Sequence, residues 1–558
     1  MLYKIKFVQE IPKLYTGKYI NYYDYRLDEI NAHFHSLQQI IKENQDEWLL
    51  DYDAWHTQLY NLLLQKSKYY SFSGISRSTI WYPIDLDKLF FSLALLKFNQ
   101  NNDETVLVIN APSEINKIID SQISINYFNQ LNKVISFFSF IFRLAKLILK
   151  LFFNFKIFKT KINIDNIIFS YDLNTRNDHF FNDIFNNENL KFRYLYHTEN
   201  SILKKEKNSK SILYIYHFIY IKDIFFVVIE SIKLYIKSLS VDIKVPLKFS
   251  NININDEYFK NALLKKTILS NTPLIEFVTY KCFINIITEN NIKKIIYPFE
   301  DKGVEHSILL ALKNSNKQIN TIGFAHANYN NGHRYINYKN HNLNEYPNIL
   351  ATTGQTQKIW LNEICNWPIE KLLIIGSPKY IKIEPKIKNE NKKSIIFLVG
   401  YLHELIQFSN FLKETKISFI NLNIHIRLYP HADLKEQMII IKKISNSNIN
   451  VYVDNNLSLK ENLLNIDYAI FSSSTAGFEA IMNNCYTMYI PMNLNIITNP
   501  LKNKKSSECI PTINNNSEFI EHLKYLSSIN NDTLLALKKK QICFVNNIFS
   551  PFEINKIL

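Results

Sequence analysis

Short apolar runs alternate with longer amphipathic stretches over most of this chain. The short runs predict strands, and the stretches between them predict helices. Residues 1 to about 100 differ, since their pattern is mainly helical and rich in aromatic side chains. The regular alternation of strand and helix further on predicts an α/β fold with doubly wound parallel sheets. We predict strands at residues 105–109, 166–171, 211–218, 294–300, 321–325, 349–353, 371–376, 393–400, 423–428, 451–453, 468–471 and 486–490.

The chain is expected to form two lobes. Its 558 residues exceed what one ordinary hydrophobic core holds. A polar run at residues 333–348 reads as a linker, and the strand–helix alternation starts again after it. This predicts an N-terminal lobe over residues 1–340 and a C-terminal lobe over residues 341–558. Two Rossmann-like lobes with a cleft between them form the GT-B architecture, in which ligands lie outside the carboxyl ends of the strands.

The most informative segment joins an apolar run at residues 468–471 to a helical pattern through four consecutive hydroxyl side chains. Backbone N–H groups and hydroxyls at a helix N-terminus form a site for phosphate. Capping the helix would need one hydroxyl, whereas four favour a phosphate or nucleotide site. Glu479, one turn into the helix, could bind a ribose hydroxyl or have a structural role. The hydroxyl run comprises Ser472, Ser473, Ser474 and Thr475.

Gly400 is a further candidate for donor binding, because it ends a predicted strand in a chain with only 9 glycines. Glycine permits close approach of a backbone to a ligand.

Acidic residues end the predicted strand at 294–300. Carboxylates of Glu300 and Asp301, facing a cleft, could deprotonate a sugar hydroxyl. Alternatively they cap the next helix and complement its dipole. Glu305 and His326 are further candidates for the site, and His326 ends the strand at 321–325; a lone histidine can equally be structural.

A cation and an imidazole follow the predicted strand at 423–428. Arg427 and His431 suit a phosphate leaving group. No metal site is expected, because the five cysteines are widely spaced and form no CxxC pair. Such cysteines fit reduced thiols in a cytoplasm. We expect no cofactor beyond a nucleotide-sugar donor.

The formal net charge of +15 favours an anionic partner. No zinc-finger spacing or RNP-like strand appears, so nucleic acid is not expected. Residues 134–158 are apolar with basic residues at positions 143, 146, 150 and 156, too charged for a transmembrane span. They could form a basic amphipathic helix on an anionic membrane surface, or a buried helix with a solvated basic edge. The N-terminus has no secretion-signal pattern, so we expect a cytoplasmic protein, peripheral on the inner face of the membrane in the first case.

Three of these motifs in chain order resemble bacterial GT-B glycosyltransferases of surface-polysaccharide assembly. The motifs are Glu300-Asp301-Lys302-Gly303, Pro430-His431 and the hydroxyl run at 472–475. The closest likenesses are to sialyltransferases and polysialyltransferases, Kdo transferases and a family of surface carbohydrate biosynthesis proteins. The resemblance covers residues 290–495. The chain departs from the family pattern where Lys302 precedes the glycine and where the His-Pro order is reversed.

The resemblance implies roles for these residues. Asp301 or Glu300 would be the base, with Asp301 favoured, and His431 or Tyr429 would act with Arg427 on the leaving group. The hydroxyls of the run would bind the donor phosphate. The implied reaction moves a sugar, best a nonulosonic acid or Kdo from a CMP-sugar, onto a surface glycan or lipid-linked acceptor. Alternatives are a glycerol-phosphate, ribitol-phosphate or NDP-sugar transferase, and a non-catalytic membrane-surface scaffold.

Overall fold

The computed structural model describes the helices, the strands and many of the connections between them. The described residues are 5–8, 19–21, 32–72, 86–100, 106–109, 113–119, 130–152, 165–170, 173–174, 177–178, 181, 193–196, 212–239, 248–249, 252, 254, 272–329, 336–338, 346–380, 382–387, 393–400, 402–414, 422–428, 434–445, 451–453, 458–491, 499–502, 504 and 506–557.

The first hundred residues are partly helical, as predicted, but they also supply two strands. Helices α1 (Ala32–Lys66) and α2 (Leu86–Gln100) pack against each other, with the rings of Trp48 and Phe90 edge to face at 5.5 Å. A separate parallel sheet has the order β1-β3-β2. Its strands are β1 (Ile5–Val8), β2 (Tyr19–Asn21) and β3 (Val106–Ile109).

The remaining helices follow the predicted alternation. In chain order they are α3 (Ser113–Ile119), α4 (Gln130–Phe152), α5 (Ile221–Leu239), α6 (Thr272–Glu289), α7 (Gly303–Ser315), α8 (Gln355–Glu363), α9 (Leu402–Glu414), α10 (Leu434–Ser445), α11 (Leu459–Leu463), α12 (Ala476–Met482), α13 (Asn516–Ser528) and α14 (Asn531–Ile548).

The first large sheet has seven parallel strands in the order β12-β11-β10-β9-β4-β7-β8. Apolar side chains alternate between its two faces, so that β9 turns Ile295 to one core and Ile296 to another. The strand order reverses between β4 and β9, which makes that pair the switch point of the sheet. The strands are β4 (Asn166–Ser170), β7 (Arg193–Tyr196), β8 (Ile212–Tyr214), β9 (Lys294–Pro298), β10 (Asn320–Ala325), β11 (Ile349–Thr352) and β12 (Leu372–Ile374); the hairpin of β5 (Leu173–Asn174) and β6 (Asn177–Asp178) lies apart.

The second large sheet has five parallel strands in the order β15-β14-β13-β16-β17. Its central strand turns Phe397 to one hydrophobic core and Ile396 to the other, so both faces are covered. The order reverses between β13 and β16. The strands are β13 (Lys393–Leu398), β14 (Leu422–Arg427), β15 (Val451–Val453), β16 (Tyr468–Phe471) and β17 (Tyr486–Tyr489). The two doubly wound, Rossmann-like sheets confirm the predicted α/β class.

The change from one sheet to the other falls later than the sequence pattern indicated. Strands β11 and β12 pair with the first sheet, although they follow the polar run at residues 333–348. The second sheet begins at Lys393. The polar run is therefore a connection within the first sheet, and the sheets divide between Ile374 and Lys393, not at residue 341.

The end of the chain returns from the second sheet to the first. After α14, the N–H of Ser550 donates to Thr353 O at 2.8 Å, and the N–H of Glu553 donates to Ile375 O at 2.7 Å. Lys294 on β9 donates to Ile557 O at 2.9 Å. The closing segment thereby links the two sheets a second time through hydrogen bonds, beside the covalent connection at residues 375–392.

Among the described residues, no helix combines the length and the apolar character that a bilayer-crossing segment needs. The predicted amphipathic segment forms α4 up to Phe152, and residues 153–158 lie outside the described part of the chain.

Candidate functional site

The first half of the candidate site lies at the switch point of the first sheet, beside the carboxyl end of β9. Glu300 follows this strand and has a side chain that is 24% exposed. His326 follows the neighbouring strand β10, and its Nε2 lies 3.3 Å from Oε1 of Glu300. The ammonium group of Lys302 pairs with Oε2 of the same carboxylate. The structure thus brings Glu300, Lys302 and His326 together in one partly open cluster.

The carboxyl group of Glu300 stays ionised in this cluster. Burial by itself raises the pKa of Glu300, but the hydrogen bond and charge of His326 and the charge of Lys302 outweigh it and hold the pKa below its usual range. A carboxylate held ionised beside an imidazole fixes the ring orientation and the position of the ring proton. Glu300 and His326 therefore form a candidate acid–base pair at this strand end.

Asp301, the favoured base from sequence, does not face the open side of this cluster. Its φ of 58° places it in the left-handed region, and its side chain is only 1% exposed. Oδ1 lies 3.2 Å from Nε2 of the buried His306 on α7. The turn therefore directs Asp301 inward, and the base assignment to Asp301 conflicts with this burial.

Glu305 lies in the first turn of α7 and binds the loop that precedes it. Its two carboxylate oxygens accept the backbone N–H groups of Glu300 at 2.8 Å and Asp301 at 2.7 Å. The side chain is buried, and burial raises the pKa of Glu305 well above its ordinary value. Glu305 thus holds the shape of the Glu300–Asp301 turn. The capping alternative for Glu300 and Asp301 does not form, because α7 begins after Lys302 without a side-chain capping bond.

A buried lysine connects this half of the site to the second half of the chain. The hydroxyl of Tyr329, three residues beyond His326, donates to Phe299 O at 2.7 Å. Lys504, from the segment after β17, donates to the carbonyl oxygen of Tyr329 at 3.1 Å and also to that of Pro500. Burial lowers the pKa of Lys504 to about 7. The loops that carry Glu300 and His326 are therefore tied to each other and to a segment that follows the second sheet.

The second half of the candidate site lies at the switch point of the second sheet, between β13 and β16. Glu404, on the first turn of α9, is fully buried there. Its carboxylate accepts the N–H of Gly400 at 2.5 Å and the N–H of Ser473 at 3.0 Å, and it also accepts the Ser473 hydroxyl. A side chain at Gly400 would meet Ser473 Oγ at 2.5 Å, so only glycine fits this contact.

The four hydroxyls of the run consequently differ from one another. Ser472 is buried, and both donors of Ser473 are engaged by Glu404. Ser474 and Thr475 are half-buried; Ser474 Oγ accepts the N–H of Ala476 at 3.2 Å, and Thr475 begins α12 without a side-chain capping bond. Ser474 and Thr475 are therefore better placed than Ser472 and Ser473 to contact a phosphate.

The other predicted donor-side residues have partners on the protein. Arg427 ends β14 and donates through Nη1 to Oδ1 of the buried Asn462. Glu479 pairs with Lys379, which follows the first sheet, at 2.7 Å. His431 and Tyr429 lie outside the described residues.

In the described part of the chain, no group of three or more His, Cys, Asp or Glu side chains is arranged to hold a metal ion.

Sequence reasoning missed three residues of this region: Glu404, Lys504 and Lys379. Glu404 could have been found, because an acid in a helical first turn, four residues after a strand-end glycine, is the usual position for a carboxylate that reaches back to free N–H groups. No local pattern marks Lys504 or Lys379, since each forms its hydrogen bond to a residue more than 90 positions away in the chain.

No protein-family model matches this chain, and no curated protein does. Solved structures do match. The mutant TarM of S. aureus, in complex with Fondaparinux, alpha-GlcNAc-glycerol and UDP, has 15% identity and a TM-score of 0.33 over 50% of this chain and 57% of TarM. The chain thus spans little more than half of TarM.

Two other matches extend over most of the matched protein. MurG of Acinetobacter baumannii has 8% identity and a TM-score of 0.36, covering 70% of this chain and 98% of MurG. UDP-GlcNAc 2-epimerase of Neisseria meningitidis, bound to UDP-GlcNAc, has 9% identity and a TM-score of 0.39, covering 71% and 98%. At these values the matches carry no information on substrate or site residues.

We expect Glu404→Ala to destabilise the protein by roughly 3 kcal/mol or more, because it leaves the donors of Gly400 and Ser473 without their acceptor. Urea unfolding measures the loss, and Glu521→Ala on the exposed face of α13 is the matched control. Equal stability of the two variants would show that Glu404 does not hold these loops.

We expect the stability that depends on Lys504 to rise with pH between about 7 and 10.5. In this window the unfolded lysine keeps the proton that the folded protein has lost, so each pH unit adds up to about 1.4 kcal/mol to the free energy of unfolding. Below pH 7 both states are protonated and the slope disappears.

Lys504→Met removes this titration, whereas the exposed control Lys524→Met retains it. Urea unfolding of both variants at several pH values measures the difference in slope. Parallel curves for Lys504→Met and wild type would contradict the assignment.

Proposed function

We propose that this protein is a glycosyltransferase that uses a nucleotide-sugar donor. One observation carries the proposal. At the place where the strand order reverses, each of the two large sheets has polar side chains, and the two sets suit different steps of a sugar transfer. The first has the Glu300–His326 pair, which can accept a proton, and the second has the half-buried hydroxyls of Ser474 and Thr475, which can bind a phosphate. The residues after β12 and after β17 connect the two regions through Lys379 and Lys504.

The proposed reaction is a sugar transfer between these two regions. The acceptor hydroxyl forms a bond to the anomeric carbon, and the bond from that carbon to the donor phosphate breaks. The hydroxyl proton goes to the Glu300–His326 pair, in which Nε2 of His326 and Oε1 of Glu300 lie 3.3 Å apart. The negative charge of the departing nucleotide is stabilised by the second region, with Arg427 and, as a proposal from sequence alone, His431.

The donor that we favour is a CMP-sugar of a nonulosonic acid or Kdo. This choice rests on the order of three motifs along the chain, which are Glu300-Asp301, Pro430-His431 and the hydroxyl run. An NDP-sugar, or a donor of glycerol- or ribitol-phosphate, is the alternative of the same architecture. Because an NDP-sugar is the alternative donor, UDP and GDP belong in the test beside the cytidine nucleotides. The acceptor is a glycan, free or lipid-linked.

We further propose a cytoplasmic location. All five cysteines are free thiols, and Cys282, Cys365 and Cys485 are buried. Reduced thiols persist in the cytoplasm, where nucleotide donors are available.

A non-catalytic scaffold is the second candidate, and nucleotide binding separates the two. Thermal unfolding of the full chain with CMP, CDP, UDP and GDP in excess tests the proposal. A bound nucleotide at about 100 times its Kd adds about 2.7 kcal/mol to the free energy of unfolding. A shift with one nucleotide identifies the donor class, and no shift with any of the four favours the scaffold.

We expect Ser474→Ala and Thr475→Ala together to weaken binding of the identified nucleotide by about 1 to 3 kcal/mol for each lost charge-assisted hydrogen bond. Ser473→Ala should act mainly on stability, because Ser473 is engaged by Glu404. Calorimetric titration measures the affinities. If Ser473→Ala weakens binding more than the double variant does, the assignment of phosphate binding to Ser474 and Thr475 instead of Ser473 is wrong.

We expect His326→Gln to lower the turnover of the identified donor by about 10²- to 10⁴-fold, as loss of a general base does. The affinity of the His326→Gln variant for the nucleotide should not change, since His326 lies on the first sheet and the nucleotide is proposed to bind at the second. Glu300→Gln should cause a smaller loss, because the amide can still accept the Nε2 proton of His326.

Asp301→Asn is the matched comparison for these variants. It should lower stability through its contact with His306 and leave turnover of the folded protein nearly unchanged. Abolished turnover in a stable Asp301→Asn protein would restore Asp301 as the base.

A further inference from the structure

Two neighbouring helices of the first lobe carry bulky apolar side chains on their outward faces. On α4, Phe142 is 71% exposed, and on α5, Phe225 is 66% exposed. Each belongs to a row of apolar side chains that share one face of the helix. The two rows, named here the α4–α5 face, comprise Phe138, Ile141, Phe142 and Leu149 on α4, and Ile221, Phe225, Ile229 and Ile236 on α5.

The two rows lie on the same side of the protein. Each helix buries its opposite side in the large core of the first lobe, with Leu144 and Leu151 from α4 and Ile224 and Val227 from α5. The helices contact each other through Phe140 and Tyr235, whose rings stack at 4.4 Å, and through Phe137. Because neighbouring helices that bury their inner sides in one core expose their outer sides together, the rows form one apolar surface.

Basic side chains border both rows in the same way. On α4, the exposed Lys146 lies about 80° round the helix axis from Phe138 and about 40° from Phe142. On α5, the corresponding positions beside Phe225 are basic too. They are Lys222, Lys233 and Lys237, all exposed.

The acids of α5 offset only part of this charge, because the helix has three lysines and two acids. Glu230 is largely covered and pairs with Lys233 at 2.7 Å. Asp223 is buried, and it accepts the N–H of Tyr220 and the side-chain amide of Asn285. In the described part of these two helices the border of the apolar surface is therefore basic.

We propose that the α4–α5 face docks on the surface of an anionic lipid bilayer. An apolar row with lysines along its edge lets aromatic rings enter the acyl boundary while the ammonium groups stay at the lipid phosphates. Charge complementarity selects anionic lipid, since each basic residue near such a surface adds to binding. Neither helix meets the requirements for crossing the bilayer, so both lie in the plane of the membrane surface.

This proposal does not rest on the nucleotide proposal, because membrane binding is measured without a nucleotide. It keeps the membrane-surface alternative for residues 134–158 and adds one feature: α4 has an apolar inner side that is buried and an apolar outer side that is exposed. The partner of that outer side in the surface is α5.

The test is sedimentation of the full chain with vesicles of phosphatidylcholine alone or of equal parts phosphatidylcholine and phosphatidylglycerol. We expect binding to the anionic vesicles that weakens between about 0.05 and 0.5 M salt. Phe138→Ser with Phe142→Ser, and separately Phe225→Ser with Ile229→Ser, should each reduce partitioning by roughly 10-fold or more.

The matched control is Leu434→Ser with Ile439→Ser on α10, which removes two equally exposed apolar side chains from the other lobe. This control should bind as the wild type does. Equal losses in the control and the α4 variant, or no sedimentation of the wild type at low salt, would overturn the proposal.

Charge is tested in the same assay. Changing Lys146, Lys222 and Lys237 to Gln should reduce binding to anionic vesicles and flatten its salt dependence, since it removes three charges from the border. Changing Lys524, Lys539 and Lys540 to Gln removes the same charge from α13 and α14 and should have little effect.

A second copy of the chain is the other occupant that an apolar face can have, and light scattering of the vesicle-free protein detects it. A dimer that the Phe138→Ser, Phe142→Ser variant converts to a monomer would assign the face to self-association and overturn membrane docking. A monomeric wild type that sediments with anionic vesicles supports it.

Discussion

Every ladder in the seven-stranded and five-stranded sheets is parallel, so the chain has to cross back between successive strands of each sheet. All strand carboxyl ends of one sheet then lie at one edge, and a crevice opens where the strand order reverses. Polar residues that are far apart in sequence meet at these two edges. Glu300 and His326 meet at the first because β9 and β10 are neighbours, and Gly400 and Ser473 meet at the second because β13 and β16 are neighbours.

At both edges a buried carboxylate in the first turn of a helix keeps the strand-end loop in place. Glu305 accepts two N–H groups from the turn that contains Glu300, and Glu404 accepts donors from Gly400 and Ser473. The same position on α8 is Gln357, whose amide oxygen accepts the N–H of Thr353 at 2.8 Å. These side chains satisfy N–H groups that a helix N-terminus leaves open, and a ligand at the same place would otherwise satisfy them. They define which donors at each edge are left for a substrate.

The sequence pattern predicted the sheet class and most strands of both large sheets, because parallel strands buried on both faces read as continuous apolar runs. It misplaced the division between the sheets, because the polar run at residues 333–348 has the composition of a linker while β11 and β12 complete the first sheet beyond it. Among the site residues, the pattern located the strand ends correctly. It could not show which of the four hydroxyls are open to a phosphate, since Ser473 is bound by Glu404, which lies 69 residues earlier in the chain.

The choice between Glu300 and Asp301 shows the same limit at the scale of one turn. Both acids follow β9 directly. The alternation of side chains between the two faces of a sheet ends with the strand, so it does not predict which acid of the turn faces outward. Asp301 adopts a left-handed backbone conformation, which Asp tolerates better than most residues, and this directs its carboxylate inward to His306. Glu300 is then left on the open side, where His326 and Lys302 reach it. A single φ angle thus decides which of two adjacent acids lies on the open side, and the turn is held in place by the buried carboxylate of Glu305.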